Sequence, residues 1–151
     1  MKADTERLVR SLNDHGVKFV IIGAAALPVH GYGRVTLDID FFIEPTEENA
    51  RRTLAALTAY GYDVSDLNLK ELLTLKILFR GYATEADVHP MVEGVTFDDV
   101  WSRRVSDHVG TTPACFASLD DLIRMKEAAG RPKDLEDLKY LRRIRDTRKK
   151  S

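Results

Sequence analysis

The sequence is short of cysteine, of long apolar runs and of net charge, and each shortage excludes a class of protein. One cysteine, Cys115, stands among 151 residues, which excludes an internal disulfide and a cysteine-based zinc site and fits a reducing compartment. No apolar run approaches the ~20 residues that cross a bilayer, and the N-terminal MKADTERLVRSL lacks the apolar segment of a secretory signal. A net charge of −1 gives the whole molecule no general attraction for nucleic acid. We therefore expect a cytoplasmic protein with no membrane partner.

What the sequence does contain is typical of a globular protein. It is 44% hydrophobic and 31% charged, and neither a repeat nor a low-complexity segment interrupts it. Helical and strand-like segments are mixed, which predicts the α/β (α+β) class, with a mixed β-sheet flanked by helices and helices at the C-terminus. We expect a single domain with a core over about residues 4–116 and a C-terminal helical segment over about 118–148.

The first half of the chain predicts alternating helices and strands. Apolar spacing indicates a helix over 4–15, and the apolar run 17–23 indicates a strand buried on both faces. A short helix should start directly at Gly23. A second strand is expected over 37–44, and the helix that follows it should end at Gly61.

The second half predicts a hairpin followed by helices. Strands over 72–80 and 82–90 should meet at Gly81, and a short helix should cover 97–104. A helix capped by Ser118 should then precede a last helix that begins at Pro132. The inner side of that last helix is expected to carry Leu135, Leu138, Leu141 and Ile144.

Two acids stand one residue apart in the apolar stretch GRVTLDIDFFIEP. On a strand, Asp38 and Asp40 project from the same face. Like charges are unfavourable there unless a cation lies between them or one is protonated. Paired carboxylates are hard oxygen ligands for magnesium, so one interpretation is a divalent-metal site. The other is a solvated surface strand, and the apolar neighbours argue against it.

A third acid, Asp87, lies in the stretch TEADVHP. If its strand neighbours the first acidic one, Asp87 completes a carboxylate triad with Asp38 and Asp40. Alternation puts Glu85 and His89 on the same face as Asp87. We interpret these two as ordinary polar-face residues.

Two further features point toward phosphate. Gly23, at a turn from strand to helix, would let a ligand approach the backbone, although a tight turn explains it equally well. Lys126 falls on an apolar helical stripe, where its charge needs a phosphate or carboxylate partner unless the ammonium reaches water. Asp134 and Asp137 share a face with apolar residues of the last helix and are expected to point inward, where a structural ion pair with Lys126 or Arg131 is the alternative to a site role.

Together these features resemble the nucleotidyltransferase superfamily with the DNA-polymerase-β-type catalytic core. Its signature is a glycine followed by Gly or Ser, a short helix, Asp-hydrophobic-Asp on a strand and a third acid on a later strand. Gly23, Asp38, Asp40 and Asp87 match it in order, with thirteen residues between Ala24 and Asp38. Ala24 departs from the signature, and the missing hydroxyl would weaken the hold on a triphosphate.

The resemblance extends to minimal, abortive-infection-type (AbiEii-like) nucleotidyltransferases. HGYGRVTLDIDFFI is similar to one of their motifs and RMKEAAGRPKDLEDL to another. The resemblance implies Mg²⁺ or Mn²⁺ on the three acids and phosphate near Lys126, with Asp134 and Asp137 in support. The residues that we expect around the nucleotide are Gly23, Ala24, Arg34, Lys126 and Asp134.

The resemblance also implies an activity. An NMP would pass from an NTP to an acceptor hydroxyl with release of pyrophosphate, Asp87 would take the proton of the acceptor, and Lys126 would neutralise phosphate charge. The acceptor could be transfer RNA, a protein or a small molecule, an oligomer is possible, and the setting could be a toxin–antitoxin or phage-defence system.

Three rivals stand beside this interpretation. A haloacid-dehalogenase-type phosphatase also uses Asp-x-Asp after an apolar strand, but Phe41-Phe42 and the chain length disfavour it. Glycosyltransferases with Asp-x-Asp are usually larger. A nucleotide-binding or antitoxin-like module of the same fold without turnover is the third, and Ala24 is its best support.

The C-terminal stretch from Lys139 to Lys150 contains seven basic residues and one acid. We interpret it as a solvated helix face and frayed tail. A contact for RNA phosphates is the alternative, without base stacking, since we expect no aromatic residue to take part there.

Overall fold

The structure, a computed structural model, describes residues 3–33 and 38–150. Within these ranges six strands form one mixed sheet, and the predicted α/β class is confirmed. In chain order the strands are β1 (Phe19–Ile22), β2 (Asp38–Ile43), β3 (Ile77–Phe79), β4 (Glu85–His89), β5 (Val105–Val109) and β6 (Thr112–Phe116). Across the sheet their order is β3-β4-β2-β1-β6-β5.

Helices accompany the sheet along the whole chain. They are α1 (Ala3–Asp14), α2 (Glu47–Tyr60), α3 (Leu69–Thr74), α4 (Phe97–Ser102), α5 (Leu119–Ala129) and α6 (Pro132–Lys149). Helix α1 packs against α2, and α5 packs against α6. In the two described ranges we find no helix with the length and apolar character that a membrane crossing needs.

Strand pairing sets the acids side by side. β1 pairs with β2 in antiparallel fashion, so Ile22 lies opposite Asp40. β2 pairs with β4 in parallel, which places Asp40 opposite Asp87. The condition stated for the carboxylate triad, that the strand of Asp87 neighbours the strand of Asp38 and Asp40, is therefore met.

The core lies behind this acidic stretch. Large side chains with almost no solvent exposure include Ile39 and Phe41 of β2, Phe116 of β6, and Leu8 of α1. Ile39 and Phe41, which alternate with the acids of β2, therefore anchor the strand, since burial of such side chains contributes ~1.5–3 kcal/mol each.

The start of the sheet differs from the prediction for a local reason. The Val17 N–H donates to the Leu12 carbonyl and the Lys18 N–H donates to Asn49 Oδ1 at 2.8 Å, so the ladder of β1 begins only at Phe19. The short helix expected at Gly23 consists of two tight 3-10 turns, Gly23–Ala26 and Pro28–His30.

The strand predicted over 72–80 is wrong in its first half, which belongs to α3. Asn68 caps that helix: its side chain accepts from the Glu71 N–H at 2.9 Å, and Glu71 accepts in return from the Asn68 N–H at 3.1 Å. These two hydrogen bonds fix the start of a helix, although the apolar run that follows resembles a strand. Only Ile77–Phe79 pairs as β3, in the predicted antiparallel hairpin that turns through Gly81.

Two further features depart from expectation. The hairpin of β5 and β6 had no prediction; its turn contains Gly110, whose φ of +60° suits glycine. Leu135, expected on the inner side of the last helix, is 54% exposed, whereas Leu138 and Leu141 are buried as predicted.

Candidate functional site

A cleft of about 450 Å³ opens between the acidic end of the sheet and the junction of α5 and α6. One side of it, the sheet wall, is formed by Asp38, Asp40, Asp87 and His89. The opposite side, the helix wall, is formed by Lys126, Arg131, Lys133 and Asp134. Gly23 and Ala24, at the end of β1, also line the cleft. Of the nucleotide-site residues predicted from sequence, Arg34 alone lies outside the described residues.

Three side chains of the sheet wall converge. Each of Asp40, Asp87 and His89 offers one ligand atom, and these atoms lie within 4.8 Å of one another. His89 Nε2 lies 2.8 Å from Asp40 Oδ1. Because the strands are parallel and in register, Asp40 and Asp87 face each other directly, and His89 reaches Asp40 from two residues further along β4. His89, interpreted from sequence as a polar-face residue, therefore contacts the acids.

Opposing effects act on the Asp40 carboxyl. Burial raises its pKa, but the hydrogen bond and charge of His89, with help from Asp87 and Lys76, outweigh burial, so that its pKa lies below the ordinary value. A carboxyl with a low pKa is ionised at neutral pH, which is the state that binds a cation.

Two cations from the neighbouring edge strand accompany Asp87. Arg80 Nη1 donates to Asp87 Oδ1 at 2.7 Å, and Lys76 Nζ lies 3.8 Å from Asp87 Oδ2. Sequence reasoning missed both. The available signal was the hairpin itself, since the pairing of β3 with β4 brings the residues that flank β3 close to Asp87.

Asp38 lies on the same side of β2 as Asp40 and lines the cleft. Its register partner is Glu85, and its charge contributes to the raised pKa of Arg80, whose first cause is the hydrogen bond to Asp87. Asp38 is not one of the three convergent donors, which are Asp40, Asp87 and His89.

Gly23 fits closely against the sheet wall. Its φ is +66°, and a Cβ at this position would lie 3.0 Å from Asp40 Oδ2. Both the backbone conformation and the space thus favour glycine. The consequence is that the backbone of the turn approaches Asp40 directly.

The helix wall is built around Lys126. Its Nζ lies 3.0 Å from Asp137 Oδ2 and 3.4 Å from Asp134 Oδ1, and its side chain is only 13% exposed. Asp134 and Asp137 are buried, as predicted from their helical face. The partners of Lys126 are thus the acids of α6, which is the structural ion pair that the sequence offered as the alternative to a site role.

Asp134 is shared between two cations. Arg131 Nε donates to Asp134 Oδ2 at 2.7 Å, and this hydrogen bond is the main reason that the pKa of Asp134 lies below its ordinary value, with Lys126 adding to the effect. The same bond raises the pKa of Arg131, and the charge of Asp40 across the cleft adds to it. The two walls therefore interact electrostatically.

The donor set of the sheet wall fits a divalent cation. Carboxylate oxygens suit Mg²⁺ and Mn²⁺, and an imidazole nitrogen suits Mn²⁺ better than Mg²⁺. Asp40 and Asp87 could bind such an ion directly. The hydrogen bond from His89 to Asp40 could alternatively orient that carboxylate, as partners of metal ligands commonly do.

The sequence model of a protein family described as "Nucleotidyl transferase of unknown function (DUF2204)" matches residues 1–151. No curated protein matches the chain.

Proposed function

Because the chain belongs to the DUF2204 family of nucleotidyl transferases, we propose that it transfers a nucleoside monophosphate from an NTP to an acceptor hydroxyl. The observation that carries this proposal is the charge pattern of the cleft: Asp38, Asp40 and Asp87 gather on the sheet wall, and on the helix wall Lys126, Arg131 and Lys133 outnumber Asp134. A metal–triphosphate fits this arrangement, because the acids of the sheet wall attract its metal ion and the cations of the helix wall attract its phosphates.

Asp38, Asp40 and Asp87 are the residues that we propose as metal ligands, with His89 as a fourth candidate. A bound Mg²⁺ or Mn²⁺ supplies charge that polarises the phosphoryl group and offsets the charge of the leaving pyrophosphate. The protein favours the ion by keeping Asp40 ionised, whereas Arg80, which pairs with Asp87, must yield to it.

The triphosphate is proposed to lie between Gly23 and Lys126. Gly23 and Ala24 present backbone to the cleft, and Lys126 is held at its edge by Asp134 and Asp137. When phosphate arrives, the ammonium of Lys126 turns to it, while Arg131 still neutralises Asp134. Arg34, outside the described residues, remains a proposed phosphate contact.

The reaction follows from these positions. The acceptor oxygen forms a bond to the α-phosphorus, the bond from that phosphorus to the bridging oxygen of the β-phosphate breaks, and pyrophosphate leaves. We assign the acceptor's proton to Asp87, which must then loosen its contact with Arg80. Lys126 stabilises the charge that develops on the phosphates.

The finer assignments are also proposals. The resemblance to the DNA-polymerase-β-type core and to AbiEii-like enzymes supports a single catalytic domain, a cytoplasmic setting and a role in toxin–antitoxin or phage-defence systems. The family match supports the transferase class and an NTP substrate.

A second candidate is a nucleotide-binding or antitoxin-like module of the same fold without turnover. Ala24 favours it, because this position offers no hydroxyl to the triphosphate. The ion pair of Asp87 with Arg80 also favours it, because it competes with the role of Asp87 as a base.

The decisive experiment incubates the protein with each α-³²P-labelled NTP, Mg²⁺ or Mn²⁺, and cell extract, with Asp40→Asn as the control. Label that enters an acceptor with the wild type and not with the variant supports transfer. NTP binding without transfer favours the second candidate. Absence of both binding and transfer contradicts both candidates.

A further inference from the structure

Helix α6 continues beyond the cleft as a basic surface. Its exposed cations, the basic face, are Lys139, Arg142, Arg143, Lys149 and Lys150, whereas Arg148 contacts His30. Arg142 lies 3.5 Å from Glu127 Oε2. Within residues 3–33 and 38–150, Lys139, Arg143, Lys149 and Lys150 form no ion pair with a carboxylate. Most of this charge is therefore not used to stabilise the fold.

An aromatic pair lies within the basic face. The ring centroids of Tyr32 and Tyr140 are 5.5 Å apart at an angle of 59°, and Tyr140 is 46% exposed. The Arg143 guanidinium lies 5.7 Å from the centroid of Tyr140. The expectation that no aromatic residue takes part here is wrong: Tyr140 is within the basic stretch, and the fold brings Tyr32 to it.

A chain of contacts joins the aromatic pair to the cleft. The Tyr32 hydroxyl donates to Asp137 Oδ1 at 3.1 Å, and Asp137 Oδ2 lies 3.0 Å from Lys126 Nζ. Lys126 lines the cleft. The aromatic pair is thus linked to the proposed nucleotide site through Asp137 and Lys126.

We infer that the basic face with Tyr32 and Tyr140 binds a single-stranded polynucleotide, whose terminal hydroxyl is the acceptor of the transfer. This inference rests on the proposed function and names its acceptor class. Bases stack on exposed aromatic rings irrespective of sequence, and phosphates are attracted to unpaired Lys and Arg side chains. An acidic protein partner would contact the cations but would have no use for the exposed ring of Tyr140. A small acceptor would use neither feature.

The ring and the charges are tested by separate variants. Fluorescence anisotropy would use labelled 12-nucleotide single strands of one mixed sequence, as RNA and as DNA, with heparin as a polyanion without bases. Tyr140→Ala is expected to weaken binding of the strands about tenfold, in line with the loss of one stacked base, and Tyr140→Phe to weaken it less than twofold. Neither variant should alter the affinity for heparin.

The charge variant has a matched control. Lys139→Gln/Arg143→Gln should weaken strand binding and reduce the slope of log affinity against log salt by about 1.4, since each phosphate contact contributes about 0.7. Arg51→Gln/Lys70→Gln removes two exposed cations from α2 and α3 and should change neither quantity. Stronger binding of RNA than of DNA identifies RNA as the source of the acceptor. Equal binding means that the surface recognises what the two strands share, their bases and phosphates.

Three results would overturn the inference: no binding of either strand, equal binding by Tyr140→Ala and Tyr140→Phe, or heparin binding that follows strand binding in every variant. The last would favour a general polyanion or acidic protein as partner. The outcome is separable from that of the proposed function. Strand binding without NMP transfer contradicts the transfer and the acceptor role of the terminal hydroxyl but not the binding surface, and NMP transfer to another acceptor without strand binding contradicts this inference alone.

Discussion

The two walls of the cleft hold their charges in different ways. Asp40 and Asp87 are fixed by the backbone, because they are register partners in adjacent parallel strands. Lys126 and Arg131 are fixed by side-chain partners alone, chiefly Asp134 and Asp137. The sheet wall therefore keeps its geometry when a ligand binds, whereas the cations of the helix wall can exchange a carboxylate for a phosphate.

This difference suits the two parts of the proposed substrate. A metal ion needs ligands at fixed distances and angles, and paired strands supply them. A triphosphate needs charge that can adapt to its several oxygens, and long Lys and Arg side chains supply that. The comparison predicts that changes in the sheet wall abolish transfer, whereas changes in the helix wall reduce it by degrees.

The largest effect is expected from Asp40→Asn. The substitution keeps the size of the side chain but removes the charge that attracts the metal, so transfer should fall by about a thousandfold or more. A matched change on the same sheet, Asp107→Asn, affects an exposed acid of β5 and should leave transfer unchanged. Rates measured with labelled NTP provide the test, and similar rates for both variants would contradict a catalytic sheet wall.

Lys126→Met is expected to reduce NTP affinity or transfer rate by roughly tenfold to a hundredfold, the value of a lost charge-assisted hydrogen bond of ~1.5–3 kcal/mol. It should also lower the melting temperature, because Asp137 is buried and loses its cationic partner.

A double variant separates the two roles of Lys126. In Lys126→Met/Asp137→Asn the unpaired carboxylate is removed as well, so the melting temperature should recover while NTP binding stays weak. If NTP affinity, measured by calorimetry, recovers together with the melting temperature, Lys126 is a structural ion-pair residue only.

Gly23→Ala alters the sheet wall without changing its charge. The added Cβ would lie 3.0 Å from Asp40 Oδ2 on a backbone with a φ of +66°, a strain of ~1–3 kcal/mol. We expect a lower melting temperature and about tenfold slower transfer. Gly33→Ala is the control, since a Cβ there meets nothing within 4 Å, and equal behaviour of the two variants would contradict the close approach of the turn to Asp40.

The smallest effect is expected from Arg131→Gln. Arg131 is mostly exposed, so solvent screening limits its pair with Asp134 to at most ~1 kcal/mol, or a fall of about 2–4 °C in melting temperature. The pair lowers the pKa of Asp134, so its stabilisation is complete above the unfolded pKa of ~3.9 and is lost as the pH falls through the folded value. Melting curves of both proteins should converge in that acid range; a difference that persists there would indicate another cause.

The sheet wall was more predictable from sequence than the helix wall. Alternation along β2 places Asp38 and Asp40 on one face without knowledge of the rest of the fold, and their match with Asp87 needs only that β4 lies beside β2 in this register. The same alternation puts His89 on that face, but its contact with Asp40 depends on the parallel register, which no local pattern gives.

The helix wall depends on contacts between separate elements. The apolar stripe predicted a partner for Lys126 but could not decide between a phosphate and the carboxylates of α6. Tyr32 and Tyr140 are far apart in sequence, and only the tertiary fold brings them together. The fold was predictable where one signal dominated, as in β2. The prediction failed at α3, where capping by Asn68 competed with an apolar run that resembles a strand.

The most direct test of the two-wall account is the calorimetric titration of Mn²⁺ and Mg²⁺ into the protein with and without a non-hydrolysable NTP analogue. The account predicts that metal binds more tightly when the analogue is present, because its phosphates add ligands that the protein lacks. Asp38→Asn/Asp40→Asn should abolish metal binding, and Lys126→Met should weaken only the gain from the analogue. Identical metal binding by the wild type and Asp38→Asn/Asp40→Asn would contradict the account.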